Sequence, residues 1–254
     1  MKLAVCGKGG VGKSTVSALL AEALLEQGYQ VLAIDADPSP HLARLLGFPQ
    51  AEEIVPLAEM KDLLLERAQK DGPFYVLNPK VDDLPEKFML TRNGLKLMVL
   101  GAVREAGGGC ACPEQTVLRR LLSLLLLQSK EAVIVDLEAG VEPFGRATVS
   151  AIDGILIVVQ PYRGSIETAK QIHRLARDLG IKNVFFVGNL LSGEEDRKYI
   201  EEALGEKLLG YLPRDEEVAR AERAGIPLRE TSGPAREAAR KLAHELKKKI
   251  AHGT

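Results

Sequence analysis

The sequence predicts an α/β fold, a mainly parallel twisted sheet flanked by helices, with residues 1–254 forming one domain. Three observations support this. Apolar runs alternate with helical patterns from end to end, which is the pattern of βαβ units. A glycine-rich phosphate-binding loop follows the first apolar run directly and opens a helix. No Gly/Ser-rich or Pro-rich linker, internal repeat or low-complexity stretch interrupts the alternation.

The first strand is expected at residues 3–6, and the helical spacing of residues 14–27 follows the loop. Further short apolar runs predict strands at 31–35, 96–100, 132–137, 154–159, 183–188 and 208–212. Between them, residues 117–128, 166–179, 194–204 and 216–224 carry helical periodicity. Residues 49–95 fit the alternation least well. Pro49, Pro56, Pro73, Pro79 and Pro85 punctuate this segment, so an excursion off the sheet with a helix near 57–69 is expected. The last segment, 235–251, sets Ala235, Ala239, Leu242, Leu246 and Ile250 on one stripe opposite Arg240, Lys241, Lys247, Lys248 and Lys249. Such a helix could lie on a membrane, but a small aliphatic stripe without an aromatic anchor favours docking on the domain.

Composition narrows the class. The chain is 46% hydrophobic and 27% charged with a net charge of -1, an ordinary soluble globule with no general pull toward nucleic acid or anionic membrane. No apolar run approaches the ~18 residues of a membrane span, and Met1-Lys2 leads straight into the first strand. A cytoplasmic location is expected. Three cysteines do not form a disulfide framework. Cys6 reads as a buried inert thiol in the first strand, and His41 and His173, lacking ligand-spaced neighbours, read as surface or packing residues.

The loop is Gly7-Lys8-Gly9-Gly10-Val11-Gly12-Lys13-Ser14-Thr15. Its glycines let backbone N–H groups close around phosphates, Lys13 reaches the β/γ oxygens, and the Ser14 hydroxyl suits Mg²⁺. Lys8 is a second lysine, too early for the usual role and free to reach a phosphate from another direction, across a dimer interface. This is the deviant Walker A motif of a P-loop NTPase. Asp35 and Asp37, two apart on an extended chain, point the same way; one can activate water while the other serves the Mg²⁺ shell. One of the pair could instead cap the helix near Pro40. Val133-Ile134-Val135 leading into Asp136 has the shape of a Walker B strand, and Leu137-Glu138-Ala139-Gly140 follows as a candidate switch. Asn189 has the donor and acceptor needed to read an adenine edge, although asparagine also caps helices.

Gly107-Gly108-Gly109-Cys110-Ala111-Cys112-Pro113 is the second informative stretch. Thiols at i and i+2 are badly placed for a mutual disulfide and well placed to share one soft metal ion. Two ligands do not complete a site. A twofold homodimer would, by bringing four thiolates to its axis. Thiolate pairs bind Zn²⁺, Ni²⁺ and Cu⁺, so the spacing leaves the metal open. The plainer alternative is a solvent loop with two incidental cysteines, or an intermolecular disulfide.

With these residues in place the chain resembles the MinD/ParA/nitrogenase-reductase class of P-loop ATPases, which are nucleotide-sandwich dimers. Cys110-Ala111-Cys112-Pro113-Glu114, Asn78-Pro79-Lys80-Val81 and Glu138-Ala139-Gly140-Val141-Glu142 make it similar to the CooC-type nickel-insertion ATPases that mature carbon monoxide dehydrogenase. The resemblance implies ATP, Mg²⁺ and Ni²⁺ as ligands. It also implies a nucleotide-dependent homodimer, apo carbon monoxide dehydrogenase or acetyl-CoA synthase as client, and neither nucleic acid nor membrane as partner. By position it implies Lys8 as the lysine acting across the dimer, and Lys13 and Ser14 as the phosphate and Mg²⁺ residues. Asp37 matches the water-activating aspartate, Asp136 the Walker B aspartate, Asn189 the adenine-binding asparagine, and Cys110 with Cys112 the metal pair. Where that family carries a histidine after the Glu-Ala-Gly-x-Glu run, this chain has Pro143. The rival readings are a positioning or partition ATPase of the MinD or ParA kind and an iron-sulfur carrier using the same cysteines.

Overall fold

A computed structural model describes residues 1–68, 75–76, 78–103, 113–141 and 149–252. Its strands are β1 (Lys2–Gly7), β2 (Val31–Ala36), β3 (Leu90–Arg92), β4 (Leu95–Val99), β5 (Ala132–Leu137), β6 (Gly154–Val159), β7 (Val184–Leu191) and β8 (Leu208–Pro213). The helices are α1 (Lys13–Glu26), α2 (Leu42–Leu45), α3 (Lys61–Ala68), α4 (Leu84–Phe88), α5 (Pro113–Gln128), α6 (Arg163–Asp178), α7 (Glu194–Leu204), α8 (Glu216–Ala224) and α9 (Pro234–His252).

All strands form one sheet in the order β3-β4-β2-β5-β1-β6-β7-β8. Every pairing is parallel except β3 with β4, so the expected mainly parallel sheet is what the chain builds. The central strands are buried on both faces, and their side chains alternate between two cores. In β1, Ala4 and Cys6 join the core under α3, α5, α6 and α7, whereas Leu3 and Val5 join the core under α1, α2, α8 and α9. In β5, Val133, Val135 and Leu137 face the first layer, Ala132 and Ile134 the second. The same alternation turns Asp35 and Asp136 toward the α1 side. The β2–β5 register sets the two opposite each other.

The structure shifts several expected boundaries. β7 runs on past residue 188 to Leu191 and so contains Asn189. The helix expected at 57–69 divides: a 3₁₀ turn at Leu57–Glu59 precedes α3, because the Ala58 N–H donates to the Leu100 carbonyl at 2.9 Å beyond β4 and pins that turn to the sheet. The antiparallel edge strand β3 was not expected. Asn93 (φ 40°) and Gly94 (φ 82°) make the left-handed two-residue turn that joins β3 to β4. Both α5 and α9 begin on a proline, four and one residues earlier than their periodicity indicates, since proline suits the first helical position. The stripe of α9 docks as expected, with Ala235, Ala239, Leu242 and Leu246 buried. Cys6 is buried and donates to the Leu156 carbonyl at 3.6 Å, and His173 packs edge-on against Phe186.

Candidate nucleotide site

The loop between β1 and α1 lies at the C-terminal end of the sheet's middle strand, flanked by β5 and β6. Gly12 is the N-cap of α1 at φ 85°, with no side-chain cap and no acidic residue in the first turn. The first N–H groups of this helix of 14 residues are therefore open to an anion, and the dipole favours one there. A cleft of about 480 Å³ sits on this terminus, lined by Gly9, Gly10, Gly12, Lys13, Ser14 and Thr15 from the loop. Asp37, Ser39, His41 and Arg44 line its second wall, and Glu138 and Glu222 a third.

The predicted residues divide by position. Lys13 is buried, and Ser14 and Thr15 are half-buried in the cleft wall. Val11 contributes backbone only: its side chain is in the core against Gly7, and its carbonyl accepts a 2.8 Å bond from Asn189 Nδ2. A β-bulge places Asn189 there. The β7–β8 register shifts between Asn189 and Leu191, with Leu190 left-handed at φ 59°. Asn189 is thus buried against the loop, and a Cβ on Gly12 would come within 2.4 Å of its Nδ2. Lys8 is exposed and does not line the cleft; its Nζ lies 5.4 Å from the centroid of the Tyr162 ring.

Asp35 and Asp37 differ more than their spacing suggested. Asp35 is fully buried, and its carboxylate accepts N–H bonds from Asp37 at 3.2 Å and from Leu42, the first residue of α2, at 2.9 Å. It anchors the loop that carries Asp37 into the cleft, so the capping alternative holds for this one of the pair. Burial pushes the Asp35 carboxyl up to about 6, against the two N–H bonds that lower it. Asp136 is raised to about 7, first by burial and then by the charge of Asp35, while the Ser14 hydroxyl and Lys13 ammonium oppose the rise.

Asp136 Oδ1 accepts from the Ser17 hydroxyl at 3.3 Å, whereas its Oδ2 is buried without a hydrogen-bond partner among the described residues. An orphaned carboxylate oxygen near a serine hydroxyl is the donor set a hard cation takes, so the site fits Mg²⁺. Cys110 and Cys112 lie outside the described residues. Among those described, no cluster of three or more His, Cys, Asp or Glu could hold a metal ion, and no helix is long and apolar enough to cross a membrane.

Sequence reasoning missed Glu222, which accepts a 2.6 Å bond from the Thr15 hydroxyl, and Arg44, and it read His41 as a surface or packing residue although His41 lines the cleft. No signal in the chain joins Thr15 to Glu222, 207 residues away.

The family profile described as the CobQ/CobB/MinD/ParA nucleotide-binding domain matches residues 3–228. The chain belongs to that family. It is a P-loop ATPase of the MinD/ParA type. It is 42% identical over 98% of its length to the carbon monoxide dehydrogenase accessory protein CooC of Rhodospirillum rubrum, covering 97% of that protein. It is also 43% identical to an uncharacterised ATP-binding protein of Methanocaldococcus jannaschii, over 93% of this chain and 94% of that one. Among more distant members, an iron-sulfur cluster carrier protein of Saccharolobus solfataricus is 27% identical over 88% of the chain and 74% of its own length. In fold, the ATPase is similar to the septum site-determining protein MinD of Pyrococcus horikoshii, solved with Mg-ADP (TM-score 0.71, 19% identity, 99% and 98% of the two chains covered).

Proposed function

We propose that this ATPase, one domain over residues 1–254, is an ATP-driven metallochaperone that gathers Ni²⁺ through Cys110 and Cys112 at a homodimer interface. It then delivers the ion to carbon monoxide dehydrogenase or to the related acetyl-CoA synthase. What carries the reading is the near full-length likeness to CooC in a chain that holds both Lys8 and the Cys110-Ala111-Cys112 pair. Zn²⁺ could occupy the same thiolates.

When bound, ATP with Mg²⁺ supplies the phosphoanhydride and a cation that neutralises its charge. Ser14 and Asp136 would hold the ion, with Asp35 shaping its outer shell through the loop it anchors. Lys13 would bind phosphate oxygens together with the N–H groups of Gly9 to Thr15. Asp37, at the cleft wall, would orient water. Asn189 would serve the adenine edge with the groups its bond to Val11 leaves free. The exposed Lys8, outside its own cleft lining, would enter the site of a second copy. Its contact exists only in the closed pair, so ATP would favour closure, four thiolates would assemble, and hydrolysis would release the ion.

Anaerobic metal analysis with and without ATP tests this. Nickel per dimer should be lost in Cys110→Ser and in Cys112→Ser; an unchanged stoichiometry rejects the thiolate site, and equal retention by monomers rejects the shared one. The likeness to an iron-sulfur carrier favours a second reading, a cluster on the same cysteines, which charge-transfer absorption after anaerobic reconstitution would reveal.

A further inference from the structure

We propose that Tyr162 and Gly164 form a seat for the Lys8 ammonium within each subunit, and that the seat competes with nucleotide on a second copy of the chain for that cation. The proposal rests on the reading of Lys8 as a residue acting across the dimer.

Lys8 Nζ stands 5.4 Å from the Tyr162 ring centroid, inside the ~6 Å reach of a cation–π contact. A Cβ on Gly164 would lie 3.0 Å from the same Nζ, so the missing side chain is the space the ammonium uses. Among the described residues no carboxylate pairs with Lys8 within 4.0 Å, and the Tyr162 ring is the group its ammonium faces.

The two sides of the contact differ in freedom. Tyr162 is the extended N-cap of α6, and its carbonyl accepts the N–H groups of Ser165 at 3.1 Å and Ile166 at 3.2 Å. Ser165 is buried, and its hydroxyl accepts the Gln160 N–H at 3.0 Å, so the turn beneath the ring is fixed. Lys8, by contrast, sits on an exposed loop before Gly9 and Gly10. Tyr162 is 38% exposed, and the seat lies at the start of a helix, where the dipole disfavours a cation. A half-exposed ring against an opposing dipole gives a weak hold, which suits a group that must leave. Tyr162 is therefore a positioning residue: it keeps Lys8 ordered and lowers its availability to a partner.

An exposed cation–π contact corresponds to ~2- to 5-fold in occupancy, hence ~4- to 25-fold over two subunits. In the nucleotide-free full chain labelled with ¹³C-lysine, the Lys8 ε-protons should show an upfield ring-current shift. It should be lost in Tyr162→Leu and Gly164→Ala and kept in Tyr162→Phe. Self-association with a non-hydrolysable ATP analogue, followed by sedimentation, should tighten ~4- to 25-fold in Tyr162→Leu and Gly164→Ala and stay within ~2-fold in Tyr162→Phe. In a Lys8→Ala background, Tyr162→Leu should change association no further. A Lys8 signal insensitive to Tyr162, an unchanged or weaker dimer in Tyr162→Leu, or the same effect without Lys8 would overturn the seat. Unaltered dimerisation and turnover in Lys8→Ala alone would instead sink the across-dimer reading while the ring-current shift stood.

Discussion

Asp136 shows what the site demands of single residues. Its carboxylate is fully buried on β5 opposite a second buried carboxylate, Asp35, and one of its oxygens has no partner among the described residues. Without Mg²⁺ and nucleotide both groups bind a proton more tightly folded than unfolded, with values near 7 and 6 against an ordinary 3.8. Stability conferred below the ordinary value is therefore lost as pH rises through about 6 and 7. Asp136→Asn removes one buried charge. It should stabilise the ligand-free protein by a few kcal/mol at pH 8, much less at pH 5, and abolish hydrolysis. Denaturant titrations at the two pH values read this directly, and an equal increment at both would refute the assignment. Asp136 was legible in the sequence, because an apolar run ending in Asp is a local signal. The unpartnered oxygen was not, since it depends on which strand lies beside β5.

Elements decide how the phosphate loop is held. The bulge that turns Asn189 onto the Val11 carbonyl makes β7 a brace for the loop, and Gly12 fits because it is left-handed and has no Cβ. Gly12→Ala should cost about 1–3 kcal/mol and weaken MgATP binding. Asn189→Ala in the same chain relieves the clash but not the strained φ, so calorimetry should find partial recovery. Full recovery or none would separate the two causes. On the same face of the sheet as α1, α9 buries Leu246 completely. Leu246→Ala should destabilise by about 2–4 kcal/mol without altering co-sedimentation with liposomes, whereas a lipid-binding tail would lose membrane affinity instead. The long periodic helices could be read from the sequence because their stripes repeat. The four-residue α2 is too short to repeat a stripe; a helix near Pro40 was legible only through the aspartate pair that could cap it, and the Leu42 N–H bond to Asp35 shows which of the two does so. The turn at Asn93-Gly94 was a readable signal that the alternation of strands and helices masked.

Across the whole molecule, the sheet places β1, β5 and β2 side by side, so that one loop and two aspartates from distant parts of the chain meet at one end. The same order leaves β3 and β8 as edges. Hydrogen exchange should therefore be slowest in β1, β5 and β6 and fastest among strands in β3 and β8; a uniform profile would contradict this layering. The sequence alone determined the parallel α/β class, the phosphate loop with its two lysines, the two carboxylate-bearing strand ends and the Cys110-Ala111-Cys112 pair. The class is written in the end-to-end alternation of periods, and each of the others within a dozen neighbouring residues through turn chemistry or spacing. Only the tertiary structure decided strand order, the placement of Asp35 in the core and Asp37 in the cleft wall, the Thr15–Glu222 bond, and the Tyr162 ring beneath Lys8. These are contacts between segments whose separation along the chain carries no local code. They follow from how two apolar faces are buried at once.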